Sequence, residues 1–238
     1  FTTNDIGYNN LAAGSLRPYG GTGSEYSAPA LVSVMGSVGY SLMNRYLLDL
    51  NLRADGSSLF GENNKWGFFP SVATTWIVSL EPFYKPLTNV INLWKVRVGY
   101  GQSGNQGGID SYYSMALLRP TGVISFRDSP TTTFGEFRNT NPNLKWETRS
   151  TFNIGTDLSL LNNRIVFTAE YYYSMITNML YLYDVPVPPF TFNKFLANLG
   201  KMSNSGVEFV LGITPISRKD MELNITMNVA IQKNKLIS

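Results

Sequence analysis

Within Met221–Leu236 apolar and polar residues alternate over most of the length. Met221, Leu223, Ile225, Met227, Val229 and Ile231 share one face, and Glu222, Asn224, Thr226, Asn228, Ala230, Gln232 and Asn234 share the other. Alternation of this kind marks a β-strand, because successive side chains leave a strand on opposite sides. Ordinary strands run to about 5–6 residues, so this one is unusually long. The same dyad recurs along the chain. It predicts the wall of an outer-membrane β-barrel, with lipid against the apolar face and a polar lumen against the other.

Composition narrows the alternatives. Hydrophobic residues make up 43% of the chain, yet no apolar run approaches the ~20 residues of a membrane-spanning helix. Any membrane crossing therefore rests on strands. The 14 Tyr, 14 Phe and 4 Trp beside only 15% charged residues suit a wall that meets lipid on one side. There is no Cys and no His, which removes disulfides, thiolate nucleophiles, Cys-ligated metal and the commonest general base. A net charge of +3 on scattered Lys and Arg leaves no footprint for nucleic acid. The expectation is a protein that is not an enzyme and needs no cofactor or metal. The first residues, Phe-Thr-Thr-Asn-Asp, have neither the basic nor the apolar region of a signal peptide. An exported barrel needs one, so residue 1 is expected to follow a removed leader or to lie inside a longer chain.

Eight strands are predicted, at about 31–42, 46–55, 66–79, 93–103, 144–160, 165–176, 205–214 and 221–236. Their links alternate in character. Residues 43–45, 162–164 and 215–220 read as tight turns, and 80–92 as a longer link with two prolines. Residues 56–65, 104–143 and 177–204 are long and rich in Gly, Pro and Asn. Short turns at one end and long loops at the other match the periplasmic and extracellular ends of bacterial barrels. Residues 1–30 read as an extracellular loop or irregular lead-in, and 31–238 as barrel wall.

Parity holds within each strand. Leu48, Leu50, Leu52 and Ala54 oppose Asp49, Asn51 and Arg53, and Trp94, Val96, Val98 and Tyr100 oppose Lys95, Arg97 and Ser103. Repeated ionised residues on one face suit a wet lumen, since a packed core would desolvate them. The apolar face carries two aromatic girdles. Tyr40, Tyr46, Trp76 and Trp94 lie toward the short turns, and Trp66, Trp146 and Tyr173 toward the long loops. Trp66 and Trp76 are ten residues apart, or about 23–25 Å along the membrane normal for a tilted strand, against an apolar band of ~25 Å. The competing architecture is a soluble two-sheet sandwich with the aromatics as core, which strands of this length disfavour.

Particular blocks then stand out. They include Asn-Arg-Tyr-Leu-Leu at 44–48, Arg-Ala-Asp-Gly-Ser-Ser at 53–58, Trp-Gly-Phe-Phe-Pro-Ser-Val at 66–72 and Glu-Pro-Phe at 81–83. Further on come Gly-Gln-Ser-Gly-Asn-Gln at 101–106, Asn-Pro-Asn-Leu-Lys-Trp-Glu-Thr at 141–148, Asn-Ile-Gly-Thr-Asp at 153–157 and Asn-Ser-Gly-Val-Glu at 204–208. In this order they resemble the SusC/RagA family of TonB-dependent transporters, from about residue 31 to the end. The resemblance implies a 22-stranded barrel around an N-terminal plug, and a motif that engages the TonB complex. It also implies import of oligosaccharides or peptides under a SusD-type surface lipoprotein. Against that pattern the chain reads as an internal piece, with eight strands and neither plug nor TonB-contacting segment.

Several smaller signals point less far. Gly99-Tyr100-Gly101-Gln102-Ser103-Gly104 matches G-x-G-x-x-G, but loop residues follow it where a dinucleotide site needs a helix. Asp110, Asp128, Glu136 and Glu147 have no spacing that favours a glycosidase pair. Tyr112, Tyr113, Phe134, Phe137, Arg138, Phe190 and Phe192 place aromatics and a cation in the long loops. They could stack on a substrate or a lid, or simply pack the loops. Arg53, Arg97, Glu147, Arg149 and Glu170 are expected to line the lumen or grip a plug. The leading expectation is a segment of a TonB-dependent outer-membrane importer of oligosaccharides or peptides. The alternative is a complete small eight-stranded barrel with a structural or adhesin role.

Overall fold

The computed structural model describes residues 27–136 and 138–237. Eight long strands form one antiparallel sheet: β1 (Leu31–Leu42), β2 (Tyr46–Ser57), β3 (Trp66–Ile77), β4 (Ile91–Asn105), β7 (Glu147–Leu160), β8 (Ile165–Thr177), β11 (Lys201–Arg218) and β12 (Met221–Leu236). Each pairs with the next in chain order, so the sheet runs β1-β2-β3-β4-β7-β8-β11-β12. Two small hairpins stand outside it, β5 (Leu118–Phe126) with β6 (Ser129–Glu136), and β9 (Leu180–Asp184) with β10 (Lys194–Asn198).

The register carries the sequence dyad from β3 across to β12. One row of partners reads Thr75, Arg97, Gly155, Glu170, Glu208 and Ala230. Its neighbour on the opposite face reads Thr74, Val98, Ile154, Tyr171, Val207 and Ile231. Large apolar side chains on that second face stand open, with Val34 at 63%, Phe68 at 65% and Ile231 at 64% exposure. Water-soluble monomers rarely expose contiguous apolar patches beyond a few hundred Å². The eight long strands leave this face open rather than enclosing a two-sheet core.

Turn chemistry explains the tight end. Met43 and Asn44 both have positive φ, and Arg45 N–H donates to the Leu42 carbonyl at 3.0 Å. Asn162 and Asn163 repeat the arrangement, with Arg164 N–H donating to the Leu161 carbonyl at 3.3 Å. These are the left-handed turns whose twist matches antiparallel strands. The longer β3–β4 link folds into two 3-10 turns, Val78–Leu80 and Pro82–Leu87.

Some boundaries differ from expectation. β11 runs past Thr214 to Arg218, because a bulge between Ile213 and Ile216 lets Pro215 sit where no ladder N–H is needed. β7 begins at Glu147 rather than at residue 144. The β5–β6 and β9–β10 hairpins lie in segments that read as irregular loops. β5 and β6 escape a periodicity reading because Val123, Ile124 and Phe126 are all exposed, with no buried face to enforce alternation.

Trp146 corrects the girdle assignment. It lies before β7 and is only 7% exposed, covered by Phe60 at 4.7 Å and Phe69 at 5.6 Å between ring centroids. Its indole N–H donates to the Lys65 carbonyl at 3.0 Å. Parity points Trp146 outward only where a strand is already under way, and β7 begins one residue later, at Glu147. The expected lead-in falls almost wholly on residues 1–26, outside the described residues.

Candidate functional site: the loop end and the polar face

The sheet opens at its long-loop end. β2 and β3 stay paired up to Gly56↔Trp66, and β4 and β7 up to Asn105↔Glu147, but the β3–β4 ladder stops at Ser71↔Gly101. Above that point Phe60, Phe69, Leu144, Trp146 and Leu196 form a buried cluster, with Ile109, Tyr113 and Leu180 packed on it. The packing is close. A Cβ on Gly61 would lie 1.7 Å from the Pro142 carbonyl oxygen, and one on Gly104 2.1 Å from the Phe69 ring. Three loop segments are thus tied to the wall.

Asparagine side chains do the tying. Asn139 Nδ2 donates to the carbonyls of Phe192 at 2.6 Å and Lys194 at 2.8 Å, while its Oδ1 accepts from Thr191 N–H and Phe192 N–H. Asn141 Nδ2 donates to the Leu196 carbonyl at 3.0 Å. Asn198 both accepts from Lys145 N–H and donates to its carbonyl, as a partner strand would. Glu147 Oε2 accepts from Leu180 N–H at 3.0 Å, and Oε1 from Asn105. The β9–β10 hairpin is thereby folded down onto the cluster through Leu180 and Leu196. The run Asn139-Thr140-Asn141-Pro142-Asn143 was the visible signal for this, since amides present both donor and acceptor.

The loop candidates divide accordingly. Arg138 lies 4.1 Å from the Tyr113 ring centroid, close enough for a cation–π contact, and donates to the Ser111 carbonyl at 3.0 Å. Phe190 packs on Phe195 at 5.2 Å. Phe192 is half-buried with its backbone held by Asn139, and Tyr112 is half-buried with φ of 70°. Phe134 is 44% exposed on the separate β5–β6 hairpin. Phe137 lies outside the described residues. Sequence reasoning missed Tyr181, 61% exposed, and Tyr183 beside it at 5.2 Å. Loss of solvent around the Tyr183 phenol, whose O–H donates to the Leu199 carbonyl, raises its pKa above the usual tyrosine value.

The five polar-face candidates share one side of the sheet by register. Arg97 donates to Asp157 at 2.8 Å and 3.2 Å and to Glu170 at 3.4 Å. Gly155 lies beneath it, where a Cβ would come within 3.2 Å of the guanidinium. Arg53 pairs with Asp55 at 2.8 Å and reaches Ser33. Arg149 is exposed on the same side. Tyr172 lies across Gly206 and donates to Gln232. Ion pairs at this exposure need water or a polar filling beside them.

Of the girdle candidates, Tyr46 and Trp76 stack at 6.4 Å and Trp94 donates to Thr156 at 3.0 Å. Tyr40, Trp66 and Tyr173 stand exposed at 59%, 54% and 39% on the same face.

Comparison with known proteins places this architecture. Residues 1–233 match the family described as TonB dependent receptor-like, beta-barrel. The chain belongs to that family. A TonB-dependent receptor of Formosa agariphila is 36% identical over 238 residues, which is 99% of this chain and 23% of that protein. The TonB-dependent receptor SusC of Bacteroides thetaiotaomicron is 34% identical over 214 residues, 87% of this chain and 21% of that protein. The RagAB peptide importer in its open-open state superposes with a TM-score of 0.77 at 26% identity, over 92% of this chain and 24% of that one. The chain thus spans less than a quarter of the length of these relatives. It is a SusC/RagA-like β-barrel segment, and members of the family are transporters rather than enzymes.

Proposed function

We propose that residues 31–238 form part of the wall of an outer-membrane importer that takes up oligosaccharides or peptides. One observation carries this reading: a single antiparallel sheet with one face open and apolar, the other ion-paired, tight turns at one end and folded loops at the other. On it, the apolar face meets lipid between belts that include Tyr46, Trp76, Trp66 and Tyr173. The polar face with Arg53, Arg97, Glu147, Arg149 and Glu170 lines the lumen or contacts a plug. Further strands close a barrel of about 22, since an open edge in hydrocarbon leaves backbone groups unsatisfied.

In this reading the loop cluster receives the solute together with a SusD-type lipoprotein, and the TonB complex acts through parts of the receptor beyond this segment. Similarity to the RagAB peptide importer supports the peptide class, and the oligosaccharide class rests on the resemblance carried by the ordered sequence blocks. The test is growth of the bacterium lacking the full-length receptor on single glycans and on peptides as sole source, with fractionation of the tagged receptor. Outer-membrane recovery and a growth defect on one class support the proposal. Recovery in a soluble fraction would overturn it.

A further inference from the structure

Midway along the apolar face is a shallow, open depression of about 630 Å³. Two adjacent rows of partners build it. One is Gly36, Leu52 and Pro70; the other is Val38, Leu50, Val72 and Tyr100. The first row is low because Gly36 has no side chain and Pro70 presents only a short ring. A Cβ placed on Gly36 would meet nothing within 4 Å. Pro70 and Val72 are each four residues from a belt tryptophan, Trp66 and Trp76 respectively. That is about 10 Å along the membrane normal from either belt for a tilted strand.

We infer that this depression holds an acyl chain of a lipid from the leaflet at the long-loop end. The inference rests on the reading of this face as lipid-facing, and depth then decides the occupant. A water-soluble partner cannot reach a site between two aromatic belts, and a strand added at the free edge of β1 would lie beside the face rather than over it. The floor also has a direction. Toward the long loops it continues over Val34 and Ala54, with Phe68 as a side wall paired to Ala54 and the Trp66 ring lying across Gly56. Toward the short turns it meets the larger Tyr40 and Leu48, which are paired. A chain descending from the long-loop side therefore ends in the groove, where apolar contact replaces contact with other lipid tails.

The test uses the full-length receptor in vesicles of phosphatidylethanolamine and phosphatidylglycerol. A trace of phosphatidylcholine carries a diazirine near the end of one acyl chain, or in a second sample near its carboxyl group. After illumination the adducts are mapped by mass spectrometry. The expected result is that the terminal probe labels residues 36–38 and 70–72 above other apolar-face segments such as 167–173, and that Gly36→Leu lowers this about tenfold, the equivalent of roughly two buried methylene contacts. Gly36→Leu should also lower carboxyl-proximal labelling at Val34 and Ala54 but not at Tyr40 and Leu48. Val72→Phe, filling the groove from β3, gives the same readout should Gly36→Leu lose the heat-dependent gel shift of a folded barrel. Even labelling along the apolar face, or labelling unchanged by either variant, would overturn the groove while leaving the membrane reading intact. Sensitivity at Tyr40 and Leu48 instead would overturn the leaflet assignment. Absence of adducts on the whole apolar face would overturn both readings.

Discussion

The Tyr46 hydroxyl donates to Glu81 at 2.6 Å, tying the first residue of β2 to the turn that follows β3. Trp76 Nε1 donates to the same carboxylate oxygen at 3.1 Å, and Arg45 to the other at 3.1 Å. One side chain thus gathers a tight turn, the stacked Tyr46–Trp76 pair and the β3–β4 link. Glu81 opens the Glu-Pro-Phe block, yet nothing in its sequence position shows what it accepts from.

Hydrogen bonds from Tyr46 and then Trp76, with the Arg45 charge, hold the Glu81 pKa below the usual glutamate value despite its burial. A carboxyl with a depressed folded pKa stabilises fully above its unfolded pKa, and that contribution is lost as pH falls through the folded value. Glu81→Gln should therefore lower the heat-modification midpoint of the full receptor at neutral pH. The gap to wild type should narrow as pH falls below the ordinary glutamate range. A pH-independent gap would sink this assignment.

Trp146 is the centre of the loop cluster rather than a belt residue. Trp146→Ala should cost about 3–5 kcal/mol in local stability, as for other large aromatic deletions from a core. Limited proteolysis should then cut within residues 104–146 while the strands remain protected. A belt residue would leave loop cleavage unchanged, so the two roles separate cleanly.

Asn139 is expected to act on the β9–β10 hairpin alone. Asn139→Ala removes two donated and two accepted bonds to residues 191–194, each worth about 0.5–1.5 kcal/mol net. Hydrogen exchange should accelerate at Phe192 and in β10 without change in β8 or β11. Equal protection in the variant would show that Leu180 and Leu196, with the bonds from Asn141, Glu147 and Asn198, hold the hairpin without Asn139.

Gly61 and Gly36 make a contrasting pair. Gly61→Ala forces a Cβ against the Pro142 carbonyl and should cost about 1–3 kcal/mol through backbone displacement. Gly36→Ala meets open space and should be neutral or slightly stabilising, because it removes freedom from the unfolded chain. Thermal midpoints of the two variants check the sign of each.

Arg97 and Asp157 are partly exposed, at 36% and 26% for their side chains. A double-mutant cycle with Arg97→Gln and Asp157→Asn should give a coupling of only about 0.2–1 kcal/mol, as for solvent-screened pairs. It should shrink at high salt. A coupling of several kcal/mol would mean that the polar face is sealed from water in the whole protein.

The wall was legible from residue order. The eight strands of the sheet follow from alternation and turn residues, and β1 and β12 fall on the same residues in sequence and structure. The transporter family was legible from ordered blocks such as those at 66–72 and 141–148. The loops were not, because β5 and β6 carry no buried face that would impose a period, and β9 and β10 are five residues each, with the adjacent Leu196 and Ala197 both buried rather than alternating. Of the seven loop candidates, Tyr113 and Arg138 could be named for their chemistry, but their mutual contact could not be foreseen.

Sequence by itself determined which face of each strand is apolar, since that depends only on neighbours two residues apart along one chain. Tertiary structure alone decided that Trp146 is buried, that Asn139 and Asn198 replace strand partners, that Glu81 accepts from three side chains and that Gly36 leaves a groove. Each of these depends on residues tens of positions apart, brought together by strand register and loop packing. No local period encodes such meetings, because they are set by where the ladders end and what fills the space beyond them.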